Sequence, residues 1–302
     1  MSFDTRPPEA HPSITHDVVA RLLADQHPEL AALELGPRFD GWDSAMFRLG
    51  EDLAVRLPRT AGAVRFLIAE THWLPRLCGE WDFPYPLFTA HGVAGHGYPW
   101  PWAVVTWVPG ETADAVPLTS DQGPALGRAL AQVHVPASAD APFNDEQSIP
   151  MAARDAKVRE RVGLLAMAPG PGGAMLDPAA AMSVWERALA APETDERVWS
   201  HADLHGANVL SHAGEFAGIF DWGSMAACDP AVDLGFAYSL IPAAGMDAVL
   251  ATYGELTGRS DEAFLARVRG IALAKCVGIA MVDREVTRHM GWRGLDALGL
   301  LH

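Results

Sequence analysis

The chain has 302 residues, which is enough for two lobes that share a cleft and for a substantial hydrophobic core. Hydrophobic residues make up 49% and charged residues 20%, as expected of a soluble globular protein. The formal net charge of −16 would repel nucleic acid and anionic membranes and attract polycations.

Two further features of the composition indicate a cytoplasmic protein. No run of uncharged apolar residues is long enough to span a membrane, and the N-terminus lacks the basic-then-apolar order of a signal peptide. Cys78, Cys228 and Cys276 have no paired spacing, which favours free thiols in a reducing compartment.

The first third of the chain predicts a frayed, proline-rich terminus over residues 1–12, followed by helices and a small sheet. Thr15 is placed to cap the first helix, and Asp40-Gly41 is a turn between the first two strands. In chain order we expect a helix over residues 15–32, two strands within 33–50, a strand over 53–58, a helix over 64–77 and a strand over 103–108.

The rest of the chain predicts helices around one hairpin. Apolar residues recur there at helical spacing, and Ser260-Asp261 is a typical start of a helix. We expect helices over residues 120–134, 154–165, 178–189, 234–241, 246–257 and 261–289.

Polar residues are concentrated between positions 198 and 235, among small, apolar and turn-forming residues. An ordinary core strand has no use for so many polar groups, and turn formation alone does not explain their spacing, so we predict a phosphoryl-transfer site. The residues are His201, Asp203, His205, Asn208, Asp221, Asp229 and Asp233.

The apolar pattern indicates how these residues converge. Two short apolar runs, residues 208–211 and 216–220, are separated by a turn-like tetrapeptide and predict a β-hairpin. The hairpin would bring Asn208 close to Asp221, with Asp203 on the preceding loop. Carboxylate and amide oxygens are the ligands that Mg²⁺ prefers. The sequence therefore predicts a magnesium site at the open end of the hairpin.

The pattern His-x-Asp-x-His-x-x-Asn, followed by Phe-Asp-Trp, resembles the catalytic signature of the aminoglycoside phosphotransferase family, which is similar to protein kinases. The resemblance implies an α+β, protein-kinase-like bilobal fold. Residues 1–108 would form a small antiparallel-sheet N-lobe that binds the nucleotide. Residues 109–302 would form a mostly helical C-lobe that carries the catalytic and acceptor-binding groups.

The resemblance also implies roles for the polar residues of the C-lobe. Asp203 matches the carboxylate that accepts the proton of the substrate hydroxyl, and Asn208 and Asp221 match the ligands of Mg²⁺. His201 is expected to orient the catalytic loop, and His205 to do the same or to contact phosphate. The structural supports of this region are expected to be Asp229 and Asp233.

In the N-lobe, the resemblance places the turn at residues 40–44, including Ser44, over the nucleotide phosphates. Kinases hold these phosphates with a lysine on the third strand, but this chain has no lysine before position 157. Arg56 occupies the matching place, with Glu70 as its expected partner. Two other arginines are competing phosphate ligands, Arg59 and Arg65.

The last strand of the N-lobe is expected to run into a hinge. There the nucleotide base would pair with backbone groups of Trp107 and Val108, which would leave little trace in the sequence. The strand by itself is equally consistent with an ordinary buried strand.

The resemblance implies a kinase that uses ATP or GTP with Mg²⁺ and phosphorylates a hydroxyl of an antibiotic, such as an aminoglycoside, or of a related metabolite. The acidic charge suits a cationic acceptor; nucleic acid and membrane are not expected as partners, and the protein would be a monomer or homodimer. A first alternative is a nucleotide-binding protein without activity, favoured by the missing lysine and the glycine-poor turn. A second is a metallohydrolase that uses His201-x-Asp203-x-His205 as zinc ligands.

Overall fold

A computed structural model describes residues 8–11 and 13–302. Residues 1–7 and 12 of the predicted frayed terminus therefore lie outside the described residues. The strands are β1 (Leu35–Asp40), β2 (Ser44–Leu49), β3 (Leu53–Pro58), β4 (Phe88–Gly92), β5 (Trp102–Thr106), β6 (Glu111–Thr112), β7 (Val198–Ser200), β8 (Val209–His212), β9 (Glu215–Ile219) and β10 (Ala226–Cys228).

The α-helices of the described residues alternate with these strands in the first half of the chain and dominate the second half. They are α1 (His16–Gln26), α2 (Val64–Leu77), α3 (Gly123–Val133), α4 (Asp155–Leu165), α5 (Pro178–Ala190), α6 (Ala231–Ala237), α7 (Ala243–Thr257), α8 (Glu262–Ile279) and α9 (Glu285–Ala297).

The N-terminal part is an antiparallel sheet in the order β1-β2-β3-β5-β4. Helix α1 begins as predicted, because the Thr15 side chain accepts a hydrogen bond from the N–H of Val18 at 3.3 Å. Its apolar residues are buried with the sheet in one hydrophobic cluster, which includes Leu22, Phe47 and Trp102. Strand β3 lies at the centre of the sheet and carries Arg56 opposite Met46 on one side and Ala103 on the other.

The C-terminal part is mostly helical and has its own, larger core, with Trp185 and Trp222 fully buried. The predicted hairpin is present as β8 and β9, and β6 pairs with the outer edge of β8. Strands β7 and β10, which precede and follow the hairpin in the chain, form a second short antiparallel pair. The α+β arrangement expected from the sequence is therefore observed.

The long helix predicted over residues 261–289 is wrong, because the chain breaks after Ile279 and returns as α9. Glycines allow α9 to pack closely on α8: a Cβ on Gly291 would lie 2.3 Å from the backbone nitrogen of Ala280, and one on Gly294 would lie 2.3 Å from Cys276 Sγ. The apolar spacing continues through the break, so periodicity alone does not reveal it.

Other elements also differ from the prediction: the short strands β6, β7 and β10 were not predicted, and α1 ends at Gln26 rather than at residue 32. Strand β4 was not predicted, because its surroundings are rich in proline, glycine and histidine; Gly92 is required there, since a Cβ would lie 1.9 Å from the Trp102 ring. Strand β5 ends at Thr106, so Trp107 and Val108 follow it rather than belong to it.

The three cysteines are free and buried. Across residues 8–11 and 13–302, the helices fall short of the length and apolar character that crossing a bilayer requires.

Candidate active site

The loop between β7 and β8 is held by a buried carboxylate. Both oxygens of Asp233 accept backbone hydrogen bonds, from the N–H of His201 at 2.7 Å and of Ala202 at 2.9 Å. Asp233 also lies 3.2 Å from His134 Nε2. Burial raises the pKa of Asp233, but the hydrogen bond and charge of His134 and the backbone hydrogen bond from His201 outweigh burial and lower it. The ionised Asp233 therefore holds the loop in place through its hydrogen bonds to the backbone.

His201 connects this loop to the strand that precedes Asp221. Its Nδ1 accepts a hydrogen bond from the N–H of Asp203 at 3.2 Å, and its Nε2 lies 3.0 Å from the carbonyl oxygen of Phe220. The two contacts require the neutral tautomer with its proton on Nε2. Both ring nitrogens are therefore used within the protein.

Asp203 lies at the centre of the loop and remains accessible, with 41% of its side chain exposed. The Asn208 amide nitrogen donates to the Asp203 carbonyl oxygen at 2.9 Å and to its Oδ2 at 3.2 Å. Burial raises the pKa of Asp203, but the charge and hydrogen bond of His205 and the charge of Lys275 outweigh burial and hold the pKa below its ordinary value. The carboxylate is therefore ionised at neutral pH.

His205 lies on the other side of the same carboxylate, with Nε2 3.5 Å from Asp203 Oδ2. Its Nδ1 accepts the N–H of Ala207 at 3.2 Å. Burial lowers the pKa of His205, but the charges of Asp203, Asp221 and Asp114 outweigh burial and raise it.

Asp221 follows strand β9 in the left-handed conformation, with φ 61° and ψ 60°. Such a backbone is strained for a residue other than glycine, so the packing around it must hold it. The Trp222 indole N–H donates to the carbonyl oxygen of Ile219 at 3.1 Å, and Gly223 packs against α2, where an added Cβ would lie 2.7 Å from Phe66 Cβ. The N–H of Phe220 bonds to the carbonyl oxygen of Asn208 at 3.0 Å, which joins the two ends of the hairpin.

Arg56 connects the sheet to this region. Its Nη2 lies 2.6 Å from Asp221 Oδ1, its Nη1 is paired with Glu70, and its Nε lies 3.2 Å from Ser44 Oγ. Burial lowers the pKa of Arg56, but the two carboxylates outweigh burial and raise it. Burial raises the pKa of Glu70, and the charge of Asp221 adds to this effect. Four of the residues singled out in the sequence therefore form one network.

The two competing arginines do not join this network. Arg59 lies beside Asp40 and donates to the carbonyl oxygen of Gly41, within the turn between β1 and β2. Arg65 is exposed and lies over the ring of Phe66, 4.6 Å from its centroid.

Trp107 and Val108 lie directly after β5. The N–H of Trp107 donates to the carbonyl oxygen of Asp52 at 2.7 Å, and its ring packs against Phe39 and under Arg48. The Trp107 N–H is thus already used within the N-terminal part and is not free to donate to a nucleotide base.

Three residues near the site were missed by sequence reasoning. Asp43 faces Asp221 and Asp203: burial raises its pKa, and the charges of both carboxylates add to this. An acid was not expected in a turn predicted to lie over phosphates.

The Nζ of Lys275 donates to Gln147 Oε1, and burial lowers the pKa of Lys275 to about 7, with the charge of Arg154 adding to the effect. A lysine on a helix carries no signal in the sequence except its rarity.

The third missed residue is Asp114, which follows β6 and whose N–H donates to the carbonyl oxygen of Gly206 at 3.1 Å. The sequence gives no signal for it, because a single acid after a short strand is usually a surface residue.

The donors around Asp203 suit a hard cation. The Asn208 amide nitrogen is used in hydrogen bonds, so its oxygen remains, and Asp221 keeps Oδ2 beside the oxygen that Arg56 binds. Oxygen ligands in small number, completed by phosphate and water, fit Mg²⁺. Over the described ranges, no group of three or more His, Cys, Asp or Glu side chains is arranged around a metal position, and the engaged nitrogens of His201 do not fit the zinc alternative.

Residues 35–269 match the model of the phosphotransferase enzyme family APH. Among solved structures, the chain is similar to the GDP complex of aminoglycoside 2'-phosphotransferase-IIIa, with a TM-score of 0.62 and 15% identity over 93% of this chain and 97% of that one. It is also similar to macrolide 2'-phosphotransferase MphH from Brachybacterium faecium, with a TM-score of 0.58 and 21% identity over 93% of this chain and 98% of that one.

The streptomycin–ATP–APH(2")-IIa ternary complex is a further neighbour, with a TM-score of 0.54 and 15% identity over 93% of this chain and 96% of that one. A comparison with curated protein sequences found no match. The protein-kinase-like bilobal fold predicted from the sequence is confirmed.

Proposed function

Because the chain belongs to the phosphotransferase enzyme family, we propose that it transfers the γ-phosphoryl group of ATP or GTP to a hydroxyl group of a small molecule. The acceptor would be an antibiotic, such as an aminoglycoside, or a related metabolite. The observation that carries the proposal is an ionised, accessible Asp203 that is hydrogen-bonded to Asn208, at the hairpin end where Asp221 also lies.

Asp203 is the proposed proton acceptor. The acceptor oxygen bonds to the γ-phosphorus, the bond from phosphorus to the β,γ-bridging oxygen breaks, and the nucleoside diphosphate leaves. The hydroxyl proton passes to Asp203 as the new bond forms. A carboxylate with a lowered pKa is a weak base, but the hydroxyl becomes acidic only late in the transfer. Its main contribution is then to orient the attacking oxygen.

Asn208 and Asp221 are the proposed ligands of Mg²⁺, through the oxygens that remain after their contacts with Asp203 and Arg56. Bound there, the ion would neutralise charge on the nucleotide phosphates. His201 orients the loop between Asp203 and Phe220, and His205 either supports the loop or contacts a phosphate.

The N-terminal lobe, residues 1–108, is proposed to hold the nucleotide. Arg56 would bind phosphate while Glu70 fixes its guanidinium, and Ser44 would support it from the turn. Trp107 would contact the base through its carbonyl group, and Val108 through its backbone.

The proposal is tested by a screen of nucleotide consumption. Purified protein is supplied with Mg²⁺ and either ATP or GTP, against a panel of hydroxyl-bearing antibiotics and metabolites. Products are examined by mass spectrometry for the gain of one phosphoryl group. We expect acceptor-dependent release of nucleoside diphosphate and a phosphorylated product, both absent with Asp203→Ala.

A nucleotide-binding protein without transferase activity is the second candidate. It is favoured by the contact of Arg56 with Asp221, which engages a proposed metal ligand, and by the acidic Asp43 in the phosphate-facing turn. Magnesium-dependent nucleotide binding without turnover across the whole panel would favour this candidate over the kinase.

A further inference from the structure

Asp114 is a buried carboxylate without a hydrogen bond. Its side chain is 1% exposed, and neither carboxylate oxygen accepts a hydrogen bond within the described part of the chain. A charged group that is buried without hydrogen bonds has lost its contacts with water and gained no equivalent contacts in the protein, which costs free energy. Both carboxylate oxygens can therefore accept hydrogen bonds from N–H or O–H groups of a ligand.

The position of Asp114 is fixed against the catalytic loop. Its N–H bonds to Gly206, and Gly206 packs so closely that an added Cβ would lie 2.6 Å from the Asp114 nitrogen. On its other side Gly206 donates to Met290 Sδ of helix α9 at 3.1 Å. Asp114 thus contacts the catalytic loop at Gly206, three residues after Asp203, where the loop meets helix α9.

Arg284, Arg293 and His205 all lie near enough to interact with the charge of this carboxylate. His205 is already paired with Asp203, whereas Arg284 is held loosely. Arg284 Nη1 lies 3.5 Å from Asp114 Oδ2, and the Arg284 side chain is 63% exposed. Arg284 belongs to the linker between α8 and α9, residues 280–284. Arg293 is also near, but its guanidinium donates to the carbonyl oxygens of Ser239 and Ala113 at 3.0 and 3.3 Å. An exposed arginine without good hydrogen-bond geometry is easily exchanged.

We propose that Asp114 binds a cationic amino group of the acceptor, and that Arg284 occupies this position until the acceptor displaces it. The inference rests on the proposed function, because it assumes an acceptor beside Asp203. An ammonium group supplies the N–H donors that both carboxylate oxygens lack. Replacing one cation by another also keeps the buried charge compensated throughout the exchange.

The exchange has two consequences. Arg284 competes with the acceptor for Asp114, so the acceptor binds more weakly than it would to a protein without Arg284. Displacement also releases the linker between α8 and α9 from its contact with Asp114, which couples acceptor binding to the mobility of residues 280–284.

The test measures binding by calorimetry, without turnover, in the full-length protein with a non-hydrolysable ATP analogue. The probe is kanamycin, compared with its fully N-acetylated form, which has no ammonium groups. The variants are Asp114→Asn, Arg284→Gln and, as a charge-matched control, Glu285→Gln, which removes an exposed acid from the start of α9.

We expect kanamycin but not its acetylated form to bind. Asp114→Asn should weaken binding at least tenfold, Arg284→Gln should strengthen it several-fold, and Glu285→Gln should change it less than twofold. Kanamycin should also increase hydrogen exchange in residues 280–284 of the wild type, and Asp114→Asn should increase it without ligand.

Kanamycin binding that does not depend on Asp114, or its absence from both the wild type and Arg284→Gln, overturns the inference. A loss of nucleotide affinity in Asp114→Asn, with kanamycin binding unchanged, also overturns it, because the carboxylate would then serve the nucleotide. Failure of the kinase proposal is a separate result: ammonium-dependent binding would persist while no acceptor is phosphorylated.

Discussion

Arg56 Nη2 lies 2.6 Å from Asp221 Oδ1 and so joins the central strand of the N-terminal sheet to the residue that follows the hairpin. The same guanidinium is paired with Glu70 on α2. One arginine therefore compensates two carboxylates from different parts of the chain. Glu70 is fully buried and would be left without a cation if Arg56 were lost, whereas 37% of the Asp221 side chain is exposed.

Arg56→Met should destabilise the protein by about 3–5 kcal/mol, because it leaves the buried Glu70 without its cation. Chemical denaturation measures the change, and Arg65→Met is the control, since Arg65 is exposed and outside the network. Arg56→Met/Glu70→Gln should recover part of the loss. Wild-type stability in Arg56→Met would show that the ion pair makes no net contribution.

Asp233→Asn should cost about 3 kcal/mol, because an amide group cannot accept hydrogen bonds from both His201 and Ala202. Since the loop would lose its support, we also expect the rate of phosphoryl transfer to fall with little change in nucleotide affinity. Unfolding curves and steady-state kinetics test the two effects. A stable variant with full activity would contradict the role of Asp233 as the support of the loop.

The same residue predicts a dependence of stability on pH. The folded pKa of Asp233 is lowered, so the stability contributed by the ionised group is complete above its unfolded pKa and is lost as pH falls through the folded value. The difference in stability between wild type and Asp233→Asn should therefore shrink as the pH falls below about 4. A difference that is constant over this range would contradict the assignment.

Gly223→Ala should destabilise the protein by about 1–3 kcal/mol, since the new Cβ would lie 2.7 Å from Phe66 Cβ. The clash pushes Asp221 away from Arg56, so nucleotide affinity should fall as well. Gly163→Ala is the matched control, because Gly163 lies in α4 with open space around its Cβ position. That variant should be neutral or more stable by up to about 1 kcal/mol. Equal stability of the two variants would contradict the close packing of α2 on this segment.

The lowered pKa of Lys275 predicts a second dependence of stability on pH, in an alkaline rather than an acidic range. Burial lowers its pKa to about 7, whereas the unfolded chain holds this proton up to its ordinary pKa of 10.5. The unfolded state therefore binds more protons between these values, and stability rises with pH across that window. Lys275→Met should remove this slope, while Lys157→Met, which changes an exposed lysine, should leave it intact. Denaturation at several pH values measures both, and an unchanged slope in Lys275→Met would count against a buried amine.

The sequence predicted the parts of the fold whose signals are local. Thr15 caps its helix, the turn after Asp40 is where the pattern requires it, and the hairpin after Asn208 forms. The break between α8 and α9 could not be predicted, because it depends on the close packing of Gly291 against the C-terminal end of α8, at Cys276 and Ala280. Local spacing contains no information about that contact.

The same distinction applies to the candidate site. Arg56 and Glu70 were paired by analogy with kinases, and the structure brings them together. The contact of Arg56 with Asp221 was not anticipated, because it depends on how the two lobes approach each other. Asp114 was missed for a related reason: its significance lies in being buried without a hydrogen bond, which only coordinates reveal.

The most direct test of the account is a single-turnover measurement on Asp203→Asn beside wild type, with the best acceptor from the screen. Nucleotide affinity in the presence of Mg²⁺ is measured on the same samples. We predict that phosphoryl transfer falls by several orders of magnitude while magnesium-dependent nucleotide affinity changes less than about threefold. Transfer by Asp203→Asn at a rate close to that of wild type would contradict the assignment of Asp203 and with it the proposed mechanism.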